Sequence, residues 1–310
     1  MRVLGVDGGQ SGIRLRHSDD ERTVEVDGVS RLEGDTVAQL ADAVAEADRS
    51  GGFPPADRVV LGLTTAPSDA DAIDRLCRLV AEATSVPEVW LADDAVTSHA
   101  GALSGGWGVS LISGTGVACL AVPDDGEPRI IGGHGYLLGD EGGGFWIGRR
   151  GLGAVLRAGE GRGSATDLTD SARRRFGELE GLHVRLHDSA RPVHDIASFA
   201  PDVLEAAEAG DEVAGALLDR AADELALTAW SGATWAAGLS TTGAVPLALG
   251  GRLLADDGPL RRRLDERLAQ LRSPVAVRTA DGSPLDGALL IGGRDDPGPY
   301  RTLVHVWSGR

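Results

Sequence analysis

Val3-Leu4-Gly5-Val6-Asp7-Gly8-Gly9-Gln10-Ser11-Gly12-Ile13-Arg14-Leu15-Arg16-His17 is the stretch that decides the fold. Residues 3–6 form an uninterrupted apolar run of the kind a strand covered on both faces shows. Residues 13–17 alternate apolar and polar, the two-residue period of a strand. Between them the chain must turn back on itself through aspartate and glycine. A glycine-rich turn after a strand brings bare backbone N–H groups close to an anion. In the dinucleotide turn and the P-loop a helix follows that turn. Here a strand follows, and the chain contains no lysine, so a Walker-A loop is excluded. Two readings remain. One is a hairpin that holds phosphates, with Asp7 at the strand end holding Mg²⁺ through water. The other is an ordinary Gly-Gly hairpin turn.

Working outward, residues 23–26 alternate as a third strand. Residues 35–48 have the period of an amphipathic helix, 58–63 of a buried strand, and 68–83 of a helix capped by Ser68. A strand at 89–91 reaches Asp93-Asp94, and a short helix follows at 95–103. The pattern then restarts. Val109 to Ile112 leads into Ser113-Gly114-Thr115-Gly116 and returns through 117–122. Two strand–glycine–strand hairpins in one chain suggest a duplicated unit. Residues 141–158 are expected to be helical, 159–200 helices with loops, and 211–237 one long helix with Ala214, Leu217, Leu218, Ala221 and Leu225 on one face. A strand at 245–249 ends in Gly250-Gly251, which reads as a strand-to-helix turn. A helix at 259–271, a strand at 275–278 and a helix at 285–291 complete the pattern. The tail from Arg294 carries no clear signal.

Composition narrows the class. The 310 residues are 42% apolar, enough for one large or two medium α/β domains. The formal charge is −17, and every basic residue is arginine. An acidic surface repels phosphate backbones, which argues against nucleic-acid binding as the main task. Schiff-base chemistry on lysine is likewise excluded. No apolar run is long enough to span a membrane, and the first residues lack a signal peptide's apolar core. Cys77 and Cys119 are too few for a disulfide framework, so a reducing, cytoplasmic setting is expected.

The second turn offers hydroxyls at Ser113 and Thr115 beside the backbone of Gly114 and Gly116, suited to clamping β- and γ-phosphates from the side opposite Gly8, Gly9, Gln10 and Ser11. The glycines at Gly250 and Gly251 would admit a flat adenosine. This order of hairpin, hairpin and strand–Gly-Gly resembles the superfamily of actin, the Hsp70 ATPase domain and sugar kinases. Within it the chain is similar to the N-acetylglucosamine-kinase-like, or BadF/BadG, branch. Three segments carry the closer match. They are Asp7-Gly8-Gly9-x-Ser11, Asp93-Asp94-Ala95, and the long run Gly133-His134-Gly135-Tyr136-Leu137-Leu138-Gly139-Asp140-Glu141-Gly142, which resembles the family's Gly-Trp-Gly-x-x-x-Gly-Asp-Glu-Gly signature. With Gly250-Gly251 and residues 284–288 the likeness covers most of the chain outside 159–200 and the tail.

The resemblance implies a two-domain, actin-like (ribonuclease H-like) α/β fold of duplicated βββαβαβα units around a central cleft. The domains are expected at 1–107 and 108–310, with a helical insert at about 159–200. It implies ATP and Mg²⁺, with Asp7 toward the metal, Asp94 as general base, and Asp140, Glu141, His134 and Gly135 near the sugar. A homodimer is expected on family grounds alone. A carboxylate at a helix N-terminus is stabilised as the anion, which suits Asp94 as base, with Asp93 as cap. The family's N-acetylglucosamine kinases place polar residues after Gly-Thr-Gly, where this chain has Val117 and Ala118. The loop at 28–34 lacks the family's asparagine. Carboxylates at Asp93, Asp94, Asp140, Glu141 and Glu33 instead favour a cationic 2-amino sugar. The expectation is therefore transfer to the 6-hydroxyl of glucosamine, with N-acetylglucosamine or glucose as alternatives. An iron–sulfur ATPase activator is a further alternative, for which the cysteines lack a cluster motif. A zinc-containing glucokinase would need a cysteine motif that is missing. His183 and His187, with Asp188, His194 and Asp195 near, raise the possibility of a metal-binding insert.

Overall fold

A computed structural model describes residues 1–9, 12–29, 34–64, 66–238, 243–271 and 275–309. The chain divides into two compact units. The first comprises Met1–Ser110, Leu120–Arg129 and Arg278–Arg310, and the second Leu111–Cys119 with Ile130–Val277. Among the described residues no helix is long and apolar enough to cross a membrane.

The first half runs β1 (Val3–Gly8), β2 (Ile13–His17), β3 (Thr23–Val26), α1 (Thr36–Gly51), β4 (Arg58–Leu63), α2 (Ala70–Thr84), β5 (Glu88–Ala92) and α3 (Asp94–Ala102). β1 pairs antiparallel with β2 and parallel with β4, opposing Asp7 to Arg14 and Gly8 to Leu63. Leu4, Val6, Leu15, Leu40, Val44, Leu61, Leu76 and Val80 share one buried cluster between the sheet and the α1–α2 pair. Each such side chain contributes about 1.5–3 kcal/mol by leaving water. Asp35 caps α1 and Asp69 caps α2, each accepting the N–H three residues on. The α2 cap corrects the expected Ser68. Both Ser68 and Asp69 can cap, and the chain begins its helical turn one residue later.

The second half runs β6 (Gly108–Ser113), β7 (Val117–Val122), β8 (Arg129–Ile130), α4 (Gly135–Leu138), α5 (Gly144–Gly159), α6 (Leu168–Phe176), α7 (Leu182–His187), α8 (Pro192–Ala197), α9 (Ala200–Glu208) and α10 (Glu212–Ala237). It continues with β9 (Val245–Gly250), a 3₁₀ turn (Arg252–Leu254), α11 (Pro259–Gln270), β10 (Val275–Arg278), α12 (Pro284–Gly292), a second 3₁₀ turn (Gly298–Tyr300) and β11 (Val304–Ser308). The sheets are ordered β11-β5-β4-β1-β2-β3 and β10-β9-β6-β7-β8. With β11 set aside, the two orders are the same, and both halves spell βββαβαβα once the helices after β8 are taken as one insertion. This is the actin-like ATPase fold expected from the sequence.

Three further details differ from the sequence reading or lay outside it. Helix α5 starts at Gly144 rather than 141, because Asp140 (φ 58°) and Gly142 (φ 86°) hold left-handed backbone that cannot begin a helix. Gly250-Gly251 leads into a 3₁₀ turn, and the α-helix waits for Pro259, whose ring suits the first helical position. The tail, unreadable in sequence, forms β11 antiparallel to β5, with Val304 opposite Ala92. In the first unit α12 lies close on α3. A Cβ at Gly287 would overlap the Thr97 carbonyl, so glycine is what lets the two backbones approach.

Candidate active site

In the first unit the ends of β1, β4 and β5 bring the chemistry together. Gly9 N–H donates to the Gly12 carbonyl at 3.0 Å, closing the hairpin turn. A Cβ on Gly8 would come within 2.7 Å of Leu63 Cδ2, so a side chain there would have to push that leucine aside. Gln10 and Ser11 lie outside the described residues, as does Glu33. The Asp7 side chain is 19% exposed, with Arg14 Nη1 3.5 Å away. Burial raises its pKa above the usual carboxylate value, Arg14 opposes this, and the charges of Asp94 and Glu25 add to it.

Asp93 is the N-cap of α3, its Oδ1 accepting from Ala95 N–H at 3.0 Å. Burial, followed by the charge of Asp94, pushes the Asp93 carboxyl up to about 7, although the residue keeps a solvent-exposed flank. Asp94 is the first residue of the helix and half-buried. Thr64 Oγ1 donates to its Oδ2 at 2.7 Å, while Thr64 N–H donates to the Gly8 carbonyl at 3.0 Å. One threonine thus ties the carboxylate to the first loop. Sequence reasoning missed Thr64. The available signal was its place directly after β4, where parallel pairing brings it beside Gly8 and Gly9.

In the second unit the turn after β6 is locked from below. Gly114 N–H donates to Gly116 O at 2.9 Å. Gly144 and Phe145, the first residues of α5, donate to the carbonyls of Gly114 and Thr115 at 2.8 and 2.9 Å. Thr115 is exposed at the tip. Ser113 is fully buried and donates its hydroxyl to Gly142 O at 3.0 Å, so it fastens the loop from inside and does not present its hydroxyl as the sequence suggested. Asp140 Oδ1 accepts from Val117 N–H at 3.2 Å, which sets this carboxylate at the base of the same loop. A Cβ on Gly116 would lie 2.5 Å from Asp140 Oδ2. Gly251 also abuts the loop, and a Cβ there would overlap the Ser113 carbonyl. Glu141, His134 and Gly135 are exposed. The glycines at this point therefore have a mechanical cause. Gly143 and Gly144 let α5 approach the loop closely enough to bond it, and Gly142 leaves room for Leu225 and the Ala221 carbonyl of α10.

The remaining candidates separate from this site. Cys77 and Cys119 are fully buried, and loss of solvation pushes each thiol up to about 12. His183 and His187 are exposed on α7, and among the described residues no three histidine, cysteine or acidic side chains gather as a metal-binding group.

Residues 4–251 match the BadF/BadG/BcrA/BcrD ATPase family, and the chain belongs to it. A glucosamine kinase from Vibrio cholerae is 25% identical over 307 residues, covering 96% of this chain and 98% of that protein. An N-acetylmuramic acid/N-acetylglucosamine kinase from Clostridium acetobutylicum is 27% identical over 241 residues, covering 73% and 77%. A crystal structure from Chromobacterium violaceum, provisionally described as an N-acetylglucosamine kinase, superposes with a TM-score of 0.68 at 28% identity. It covers 94% of this chain and 98% of its own.

Proposed function

We propose that this chain phosphorylates the 6-hydroxyl of glucosamine, with Asp94 as the general base. That it is an ATP-dependent sugar kinase rests on the family, the fold and the curated relatives together. The acceptor and the base are inferred from the site. The observation that carries the base is the geometry of Asp94. It begins α3, where the helix dipole favours an anion, and it accepts a hydrogen bond from Thr64. Such a carboxylate takes the proton of the sugar hydroxyl as that oxygen attacks the γ-phosphorus of ATP. The leaving group is the β-phosphate oxygen of ADP.

The first loop at Gly8-Gly9 and the second at Gly114-Thr115-Gly116 would line the triphosphate, with Gly9 N–H and Gly114 N–H already spent on closing their own turns, and Gly250-Gly251 would accommodate the adenosine. Asp7 fits Mg²⁺ held through water. Its carboxylate is partly buried, its nearest cation is 3.5 Å away, and the charges of Asp94 and Glu25 bear on it. Mg²⁺ commonly takes only one or two carboxylates and completes its shell with water and phosphate oxygens. When bound, it would neutralise charge on the β- and γ-phosphates.

The acceptor follows from what surrounds the second loop. Val117 is buried and Ala118 ends in a methyl group, so neither side chain can donate to an N-acetyl carbonyl. Asp140 and Glu141 offer negative charge, which suits an ammonium at C2. The similarity to a glucosamine kinase supports the same choice. Because each lost hydrogen bond costs ~1–3 kcal/mol, kcat/KM for glucosamine is expected to exceed that for N-acetylglucosamine and glucose by roughly tenfold or more. Steady-state kinetics on the three sugars checks this, and a preference for the acetylated sugar would refute the amine assignment. The iron–sulfur activator reading is disfavoured, since both cysteines sit inside the core with raised pKa values.

Asp93 gives a separate test of the electrostatics. Its folded pKa of about 7 lies above the ordinary value, so the folded state holds its proton longer than the unfolded chain does. Stability from this group is full below the ordinary carboxylate range and is lost as pH rises toward 7. Asp93→Asn keeps a capping oxygen and removes the charge. The variant is expected to melt above the wild type at pH 8 and level with it at pH 4, measured by thermal unfolding. A variant that melts below the wild type at pH 8 would contradict the assignment.

A further inference from the structure

Many arginines here are tied to carboxylates, such as Arg58 with Glu88 and Arg263 with Asp219. Among the described residues several arginine side chains, those of Arg149, Arg150, Arg157 and Arg220 among them, make no ion pair or hydrogen bond. All four belong to α5 and α10 of the second unit. Arg150 and Arg157 are seven residues apart, two helical turns, and so share a face of α5. α10 packs on that helix's N-terminal end, where a Cβ on Gly142 would meet Leu225 and the Ala221 carbonyl, and Arg220 directly precedes Ala221. The Arg150 guanidinium lies 4.1 Å over the Trp146 ring, and Arg149 lies 5.8 Å from the Phe145 ring centre. Arg150 Nε is shielded from water and unpartnered. Burial lowers the Arg150 pKa, and the charges of Arg149, Arg220 and Arg157 lower it further, with Glu224 opposing. In a chain of net charge −17, nearby carboxylates could have neutralised this group.

We propose that the face formed by Arg150, Arg157 and Arg220 is a second anion site, which takes inorganic phosphate or a small phosphate monoester. Guanidinium forks match phosphate oxygens in pairs, and Trp146 holds one fork flat. Two turns of helix span about 10 Å, the length of one phosphorylated metabolite. A nucleic acid is a poor fit, because its further phosphates would meet an acidic surface. The site shares α5 with the second loop but uses none of that loop's residues, and it does not depend on which sugar is the acceptor.

The test is isothermal titration of the full chain, at constant ionic strength set with chloride and with a non-hydrolysable ATP analogue and Mg²⁺ saturating. Inorganic phosphate is one probe and glucosamine 6-phosphate the other. The wild type is expected to bind at least one of them saturably. The double variant Arg157→Gln/Arg220→Gln is expected to bind that probe at least tenfold more weakly while retaining kcat and affinity for the ATP analogue, which reports its folding. Tighter binding of the ester assigns the natural ligand to phosphorylated metabolites, and equal binding assigns it to free phosphate. Equal affinities in wild type and variant overturn the proposal. So does a variant whose only change, by sedimentation velocity, is loss of self-association, since the cluster would then meet the acidic surface of a second copy. Arg150→Lys separates a fork from a point charge, and affinity unchanged in that variant also counts against the site.

Discussion

Asp94→Asn is expected to lower kcat for sugar phosphorylation by ~10²–10⁴-fold, the usual worth of a positioned general base. The substitution is nearly isosteric. It preserves the start of α3, because the cap is Asp93, whose Oδ1 holds Ala95 N–H. The amide oxygen can still accept from Thr64 Oγ1, as Asp94 does at 2.7 Å. What it removes is the ability to take a proton. ATP binding should persist within about a factor of three, since the loop glycines are untouched. Single-turnover phosphorylation with ATP in excess, alongside ATP titration, separates the two quantities. Undiminished turnover would remove Asp94 from the chemistry and shift attention to Asp93. The companion variant Thr64→Val would keep the backbone bond to the Gly8 carbonyl and remove the hydroxyl that donates to the Asp94 carboxylate.

Gly251→Ala should be the most damaging small substitution in the second unit. Gly251 has φ 88° and ψ 154°, a region essentially reserved for glycine. Adopting it costs an L-residue about 1–3 kcal/mol. The new methyl would also overlap the carbonyl of Ser113, which is backbone and cannot swing aside. Ser113 is pinned on its other side by its bond to Gly142 O, and Gly114 and Thr115 are pinned by α5. Relief must therefore come from displacing the loop itself. A fall in Tm of roughly 5–10 °C is expected, together with a loss of ATP affinity of about tenfold or more. Differential scanning calorimetry and nucleotide titration measure both. A variant with wild-type ATP affinity would show that the Gly251 contact does not shape the nucleotide loop.

Much of this architecture was legible from periodicity alone. The hairpin at residues 3–17 betrayed itself through an apolar run, glycines and an alternating return strand, and the second hairpin repeated the pattern. Strand and helix periods survive because each strand or helix buries a definite face. What escaped was whatever depends on partners distant in sequence. β11 alternates too weakly to announce itself, and it is a strand because β5 offers an unpaired edge. Thr64 looks like any residue after a strand until parallel pairing sets it beside the first loop. Ser113 reads as a phosphate ligand from its spacing, and only three-dimensional packing shows its hydroxyl turned inward to Gly142. Residues at 117 and 118 were informative for the opposite reason. Their departure from the family pattern is a local chemical fact, visible without coordinates.

The pairing of β11 with β5 has a consequence for biogenesis. The first unit takes strands from both ends of the chain, with the whole second unit synthesised between them. On the ribosome, β5 emerges early and keeps a naked hydrogen-bonding rim until residues 304–308 follow. Open rims of this kind recruit other strands, so nascent chains stalled before that point should be prone to clumping and dependent on chaperones.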